Sequence, residues 1–108
     1  MATVNKRAQF QDLVQNVLCY TGTLDLGNAA TGSGTFASAD VTVTGAALGD
    51  MVLVSLGVDT VDAVVAAAVT AANTVTVTLL NNTAGAVDLA STTVRIMVLQ
   101  LSDQNFYA

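Results

Sequence analysis

The sequence predicts an all-β fold, an antiparallel β-sandwich or small barrel of about six strands with a short N-terminal helix or arm. Apolar residues alternate with threonine over residues 41–44 and 74–79, the two-residue period of a strand with one buried face. All eight acidic residues are aspartate and none is glutamate. Aspartate favours turns and caps, whereas glutamate favours helix interiors.

The first 16 residues differ in composition from the rest of the chain. They contain two of the three cations, Lys6 and Arg7, and several amide side chains. The apolar residues Phe10, Leu13, Val14 and Val17 recur with the spacing of one helical face. This spacing predicts a short helix, and the alternative is an extended arm that becomes ordered on a neighbouring molecule.

Residues 17–101 are predicted to form the β-sandwich body. Besides the two alternating segments, strands are predicted over residues 17–26, 51–56, 63–70 and 94–101. Residues 40–56 are interpreted as a hairpin, because the glycine-bounded segment 45–50 can reverse the chain. Residues 71–73 are interpreted as a second turn, in which Asn73 can adopt a positive φ. Residues 27–34 form a loop by composition.

Three predicted strands, at residues 51–56, 63–69 and 94–101, are apolar on both faces. A two-layer sandwich has only one inner face per sheet, so the outer faces of these strands need another cover. Charged residues make up 10% of the chain, compared with about 25% in ordinary globular proteins. The sequence therefore predicts a homo-oligomer, with a trimer as the favoured state.

Residues 102–108 form a polar tail that contains the adjacent aromatic residues Phe106 and Tyr107. Such a pair either folds onto the body of its own chain or anchors the chain in a neighbour. The residues predicted to contribute to interfaces are Lys6, Arg7, Phe10, Leu13, Met97, Phe106 and Tyr107.

The formal net charge of −5, with only Lys6, Arg7 and Arg95 as cations, argues against a nucleic-acid partner. No apolar run approaches the roughly 18 residues of a membrane span, and no signal peptide is recognisable. The single cysteine, Cys19, excludes an intrachain disulfide. We therefore expect no membrane partner and maturation in a reducing compartment.

The sequence offers little for catalysis. Histidine is absent, which removes the commonest general base and metal ligand. Cys19 lies in an apolar strand pattern and is predicted to be an unreactive core thiol. Asp59, Asp62 and Asp88 are candidates for a hard cation, but carboxylates that cap turns are far commoner. The prediction is a protein that is not an enzyme and has no cofactor or metal.

The run from residue 35 to residue 100 resembles a β module of small tailed-bacteriophage structural proteins. The matching segments are VTVTGAALGDMVLVS, AANTVTVTLLNNTAGAVDLAS and TTVRIMVL. Stand-alone chains of this type resemble capsid decoration (cement) proteins. The resemblance implies a virion protein, made in the host cytoplasm, that binds the major capsid protein and stabilises subunit contacts on the outer head.

The resemblance carries no catalytic residues over to this chain, and it leaves a second interpretation open. Similar modules resemble parts of phage fibres, so the alternative is a fibre or receptor-binding module. Such a module would expose aromatic recognition residues on loops. The chain has five aromatic residues, and four of them lie outside the loops predicted to join the strands.

Overall fold

The computed structural model describes residues 13–26, 28–29, 35–60, 62–83 and 85–101. These residues form eight β-strands: β1 (Val14–Leu24), β2 (Asn28–Ala29), β3 (Thr35–Thr42), β4 (Met51–Leu56), β5 (Val64–Ala71), β6 (Thr74–Asn81), β7 (Val87–Asp88) and β8 (Thr92–Leu101). Within these ranges there is no helix element.

The long strands form two three-stranded antiparallel sheets. The first sheet has the order β1-β8-β4 and the second has the order β3-β6-β5, while β2 and β7 pair as a short separate ribbon. The two sheets pack together around one hydrophobic core. The predicted all-β sandwich is therefore confirmed.

The central strand of each sheet supplies the most buried side chains. Alternate residues of these two strands point into the core: Val75, Val77 and Leu79 on β6, and Val94, Ile96 and Val98 on β8. The inner residues of the edge strands β1 and β4 are only partly buried and pack around this centre. Burial of these aliphatic side chains stabilises the sandwich by roughly 1.5–3 kcal/mol for each fully buried residue.

The predicted turn between β5 and β6 is confirmed. The two strands pair as an antiparallel hairpin in which Val69 lies opposite Val75. Asn73 has a φ of 63°, a left-handed conformation that asparagine tolerates better than most residues.

The predicted hairpin over residues 40–56 is wrong. β3 pairs with β6, and β4 pairs with β8, so these successive strands belong to different sheets. The segment between them crosses from one sheet to the other, with positive φ values at Gly45 and Gly49. Alternation and turn residues indicate two strands and a reversal, but they do not determine which strands pair.

This crossing segment is fastened to the β5–β6 turn by Asn73. The Gly45 amide donates to Asn73 Oδ1 at 2.8 Å, and the Asn73 amide donates to the Ala46 carbonyl at 2.8 Å. The Val43 amide completes the contact by donating to the Asn73 carbonyl at 2.9 Å. One residue therefore joins the two reversals at this end of the sandwich.

Replacing Asn73 with alanine should lower the free energy of unfolding by about 1–2 kcal/mol, since it removes a side-chain acceptor and disfavours the positive φ. Asn73→Gly is the matched control, because it loses the same hydrogen bond but keeps the conformation accessible. We expect Asn73→Gly to melt between wild type and Asn73→Ala in a thermal unfolding experiment. Equal melting of all three proteins would contradict this role for Asn73.

The N-terminal prediction needs one correction. β1 begins at Val14, so residues 14–16, which were assigned to the helix or arm, belong to the sheet. The strand includes them because Asn16 pairs with Gln100 and Val14 with Leu101, across a register shift between Val14 and Asn16. The rest of the predicted helix, residues 1–12, lies outside the described residues, as does the tail 102–108.

Candidate assembly surface

The outer face of the first sheet is apolar across all three strands. Strand register places Val17, Leu99 and Met51 in one row, and Cys19, Met97 and Leu53 in the next. We call these six residues the apolar face. Four of them have large exposed fractions, namely Leu53 (59%), Met51 (51%), Val17 (49%) and Met97 (40%). A single exposed apolar side chain is ordinary, whereas a contiguous block of exposed apolar side chains is typical of interaction sites.

A shallow groove of about 330 Å³ runs over β8 within this surface. Its apolar end includes Cys19, Leu53 and Met97, and its polar end includes Thr21, Ser55 and Arg95. Register places the second group in the row beyond Met97, with Arg95 between Thr21 and Ser55. The apolar face is therefore bordered by a polar row that contains a cation.

The outer face of the second sheet has a different composition. Its centre consists of alternate residues of the three paired strands: Ser38 and Asp40 on β3, Thr76 and Thr78 on β6, and Ala66 and Ala68 on β5. Thr76 Oγ1 donates to Asp40 Oδ1 at 2.7 Å, and Thr70 Oγ1 lies 2.8 Å from Thr76 Oγ1. Among the side chains that the structure describes on this face, the exposed large apolar ones are Val64 and Leu80, which pair at one end of the sheet. The second sheet therefore presents a largely solvent-compatible surface.

Three polar side chains, those of Asn16, Asp50 and Gln100, form hydrogen bonds that connect β1, β8 and the crossing segment at one end of the sandwich. Gln100 Nε2 donates to the Gly45 carbonyl at 2.9 Å and to Asp50 Oδ2 at 2.8 Å. Asn16 Nδ2 donates to Gln100 Oε1 at 3.0 Å, and the Ala47 amide donates to Asp50 Oδ2 at 2.9 Å. These bonds tie β1, β8 and the crossing segment, which is a structural use of Asp50.

Among the described residues, no group of three or more cysteine or aspartate side chains is arranged to hold a metal ion. This includes Asp59, Asp62 and Asp88, the candidates identified in the sequence. In the same ranges no helix is long and apolar enough to cross a membrane.

Cys19 is exposed, so the prediction of a core thiol is wrong. Apolar residues lie on both faces of β1, and local sequence alone could not determine which face points inward. Cys19 lies opposite Met97 in the ladder, on the outer side of the sheet. It is therefore an accessible reporter of the apolar face.

The structure describes two of the seven predicted interface residues. Met97 lies at the centre of the apolar face, and Leu13 is half-buried immediately before β1. The other five lie outside the described residues: Lys6, Arg7, Phe10, Phe106 and Tyr107. The sequence prediction missed Val17, Cys19, Met51, Leu53 and Leu99. The two-sided apolar character of 51–56 and 94–101 was the available signal, but the neighbours of each strand were needed to use it.

Comparison with protein-family models, with curated protein sequences and with solved structures finds no match to this chain. The resemblance to phage decoration proteins therefore stays a prediction. The apolar face of the first sheet and the polar centre of the second sheet are observed in this structure and do not depend on any such comparison.

Proposed function

We propose that this protein is a non-enzymatic structural protein of a phage virion, a capsid decoration protein that binds the outer head surface as a homotrimer. The observation that carries the proposal is the apolar face on a chain in which only 10% of residues are charged. Contiguous exposed apolar surface of this kind is typical of protein interaction sites. The resemblance to capsid decoration modules supplies the class of that assembly.

The proposal assigns trimer formation and capsid binding to two different parts of the chain. The sandwich forms the trimer, and residues 1–12, together with Phe106 and Tyr107, contact the major capsid protein. Residues 14–16 of the predicted arm are excluded from this contact segment, because they are fixed in β1. The segment that can extend to a capsid is therefore residues 1–12, which contain Lys6, Arg7 and Phe10.

A short segment of this kind binds weakly by itself, because ordering it on a surface costs conformational entropy. Three copies on one trimer, each engaging a neighbouring capsid subunit, raise the overall affinity through multivalency. Decoration then links capsid subunits and stabilises their contacts. No nucleic acid, membrane or cofactor takes part in this account.

Deleting residues 1–12 should leave the sandwich folded and abolish capsid binding. The reason is that every strand in the described part of the chain begins at or after Val14. The measurement is occupancy on undecorated heads assembled from the major capsid protein of the same phage, determined after sedimentation of the heads. Melting temperature and mass of the free protein are recorded in parallel.

The matched control replaces residues 1–12 with a glycine-serine segment of the same length, which keeps the chain length but removes Lys6, Arg7 and Phe10. It should also fail to bind heads. Wild-type occupancy by either variant would refute the role of the segment. A large loss of stability on deletion would instead show that the segment caps its own sandwich.

Binding to the same undecorated heads distinguishes a decoration protein from the alternative, a fibre or receptor-binding module. A decoration protein saturates undecorated heads at a fixed number of copies. A receptor-binding module binds host cells and leaves heads bare. Binding to host cells with no binding to heads would replace the proposed function by the alternative.

A further inference from the structure

We propose that the outer face of the first sheet has a binding site for a single-chain aliphatic carboxylate, with the head group at Arg95 and the alkyl chain beside Met97 and Leu53. The proposal goes beyond the proposed function and does not rest on it, because every residue of the site belongs to one chain. The site consists of two cavities, the groove over β8 and a polar cavity, which share Arg95 and Ser55 in their walls.

The groove of about 330 Å³ lies between two rows of side chains that cross the sheet. One side is the row of Cys19, Met97 and Leu53, and the opposite row has Arg95 at its centre. Successive rows on one face of a sheet are about 7 Å apart. Between them on β8, Ile96 points into the core, so the floor of the groove is backbone. This width suits one extended chain and not a helix, whose diameter with side chains is about 10–12 Å.

The polar cavity, of about 260 Å³, lies beside Arg95 and is lined also by Ser55, Leu56, Gly57 and Thr93. Thr93 and Arg95 are alternate residues of β8 and therefore lie on the same face of the sheet. The guanidinium and the two hydroxyl groups are all hydrogen-bond donors. The cavity therefore offers a carboxylate several donors at the place where the groove has its polar end.

The charge around Arg95 favours an anion. Arg95 is the only cation in the described part of the chain, and it makes no hydrogen bond or ion pair there. None of the six aspartates in these ranges lines either cavity. The site is therefore locally positive on a chain with a formal net charge of −5. One guanidinium matches one carboxylate, to which it can donate two parallel hydrogen bonds.

Together the two cavities have the composition of a small-molecule site. Such sites typically have volumes of about 300–1,000 Å³ and largely apolar walls, with a few polar groups that fix the orientation of the ligand. Along β8, Thr93 and Met97 are four residues apart, or about 13 Å. An aliphatic carboxylate of medium chain length spans this distance, so decanoate is the probe for the site.

The test is titration of the isotope-labelled full-length protein with decanoate, below the concentration at which decanoate forms micelles, followed by two-dimensional NMR. The amide signals of residues lining the two cavities should shift and saturate, with a dissociation constant at or below about 1 mM. Decanol is the uncharged probe of the same chain length. It should bind at least about threefold more weakly, because it cannot form the charged hydrogen bonds to Arg95.

Three variants separate the head group from the alkyl chain. Arg95→Gln should weaken decanoate binding by about three- to tenfold and leave decanol binding unchanged. Arg7→Gln is the matched control, because it removes the same charge from the N-terminal segment, and it should bind decanoate like wild type. Leu53→Ser removes part of the apolar side of the groove and should weaken both probes alike.

Far-UV circular dichroism establishes that each variant is folded, and the comparison of decanoate with decanol on wild type needs no variant. Equal affinity of wild type for the two probes, or no saturable shift with decanoate, would overturn the proposal. So would a folded Arg95→Gln variant that binds decanoate as tightly as wild type. Shifts confined to the second sheet would also overturn it, because the ligand would then lie elsewhere.

Discussion

Replacing Val54 with aspartate should unfold the protein. Val54 lies on β4, next to Leu53 and Ser55 of the outer face, but it points to the opposite side and packs against the core. An unpaired carboxylate there should cost at least about 3 kcal/mol. A domain of this size is stable by only about 5–15 kcal/mol, so we expect a melting temperature lower by about 10–20 °C, or no folded protein.

Thermal unfolding followed by circular dichroism measures this effect. Wild type and variant are compared at one protein concentration, because the stability of an oligomer depends on concentration. Thr78→Asp introduces the same charge on the polar outer face of the second sheet and should melt within a few degrees of wild type. Wild-type melting of Val54→Asp would show that β4 has its faces reversed.

Replacing Asn81 with alanine should have the second largest effect on stability. Asn81 is the one buried polar residue of the described chain, and its exposed fraction is 0%. Its Oδ1 accepts hydrogen bonds from the Thr83 amide at 2.9 Å and from Thr83 Oγ1 at 2.6 Å. Its Nδ2 donates to the Gly85 carbonyl at 2.8 Å. Alanine leaves the Thr83 amide without this acceptor and creates a cavity, which should cost about 2–3 kcal/mol.

Thr83→Ser is the control for this cluster, because it keeps the hydroxyl that bonds to Asn81 and to the Gly85 carbonyl. We expect it to melt close to wild type, while Asn81→Ala melts about 8–20 °C lower. The free energy of unfolding from denaturant titration gives an independent value. If both variants have the melting temperature of wild type, the hydrogen bonds of Asn81 contribute nothing to stability.

Local patterns predicted most of the strands and little of their pairing. The alternation over residues 74–79 identified β6, and Asn73 identified its turn, because these signals depend only on neighbouring residues. The pairing of β3 with β6 and of β4 with β8 joins residues that are distant in sequence. No alternation pattern specifies such partners, and the predicted hairpin over residues 40–56 failed for this reason.

The sequence predicted that an apolar outer face exists, but it did not predict where that face lies. Two of the three two-sided apolar strands, at residues 51–56 and 94–101, have exposed apolar outer faces, whereas the third, at residues 63–69, contributes mainly alanines to its outer face. Locating the face required knowing that β8 lies between β1 and β4, which brings Val17, Cys19 and Leu53 beside Met97. It also required the second sheet, where β5 contributes small alanines beside polar threonines. The prediction that Cys19 is buried was wrong, because both faces of β1 contain apolar residues and the sequence did not show which face points inward.

The outer faces of the two sheets differ in polarity, so the protein has one apolar side and one largely polar side. The centre of the second sheet, with its Thr70–Thr76–Asp40 hydrogen bonds, is polar and can face solvent. The first sheet cannot, because burial of its exposed methionine and leucine side chains is favoured at about 25 cal/mol per Å². In the proposed oligomer, assembly through the first sheet would leave the second sheet facing solvent.

The most direct test of the account is the alkylation rate of Cys19 in the native protein. Cys19 is the only cysteine, and it lies beside Met97 on the apolar face. If the face is covered by other copies, native wild type should react at least about tenfold more slowly than the folded Met97→Asp variant at the same pH and concentration. Dilution of wild type below the dissociation constant should restore the fast rate. A wild-type rate that does not change between micromolar concentration and high dilution, and that equals the rate of the unfolded protein, would show that the face is open to water and would contradict the account.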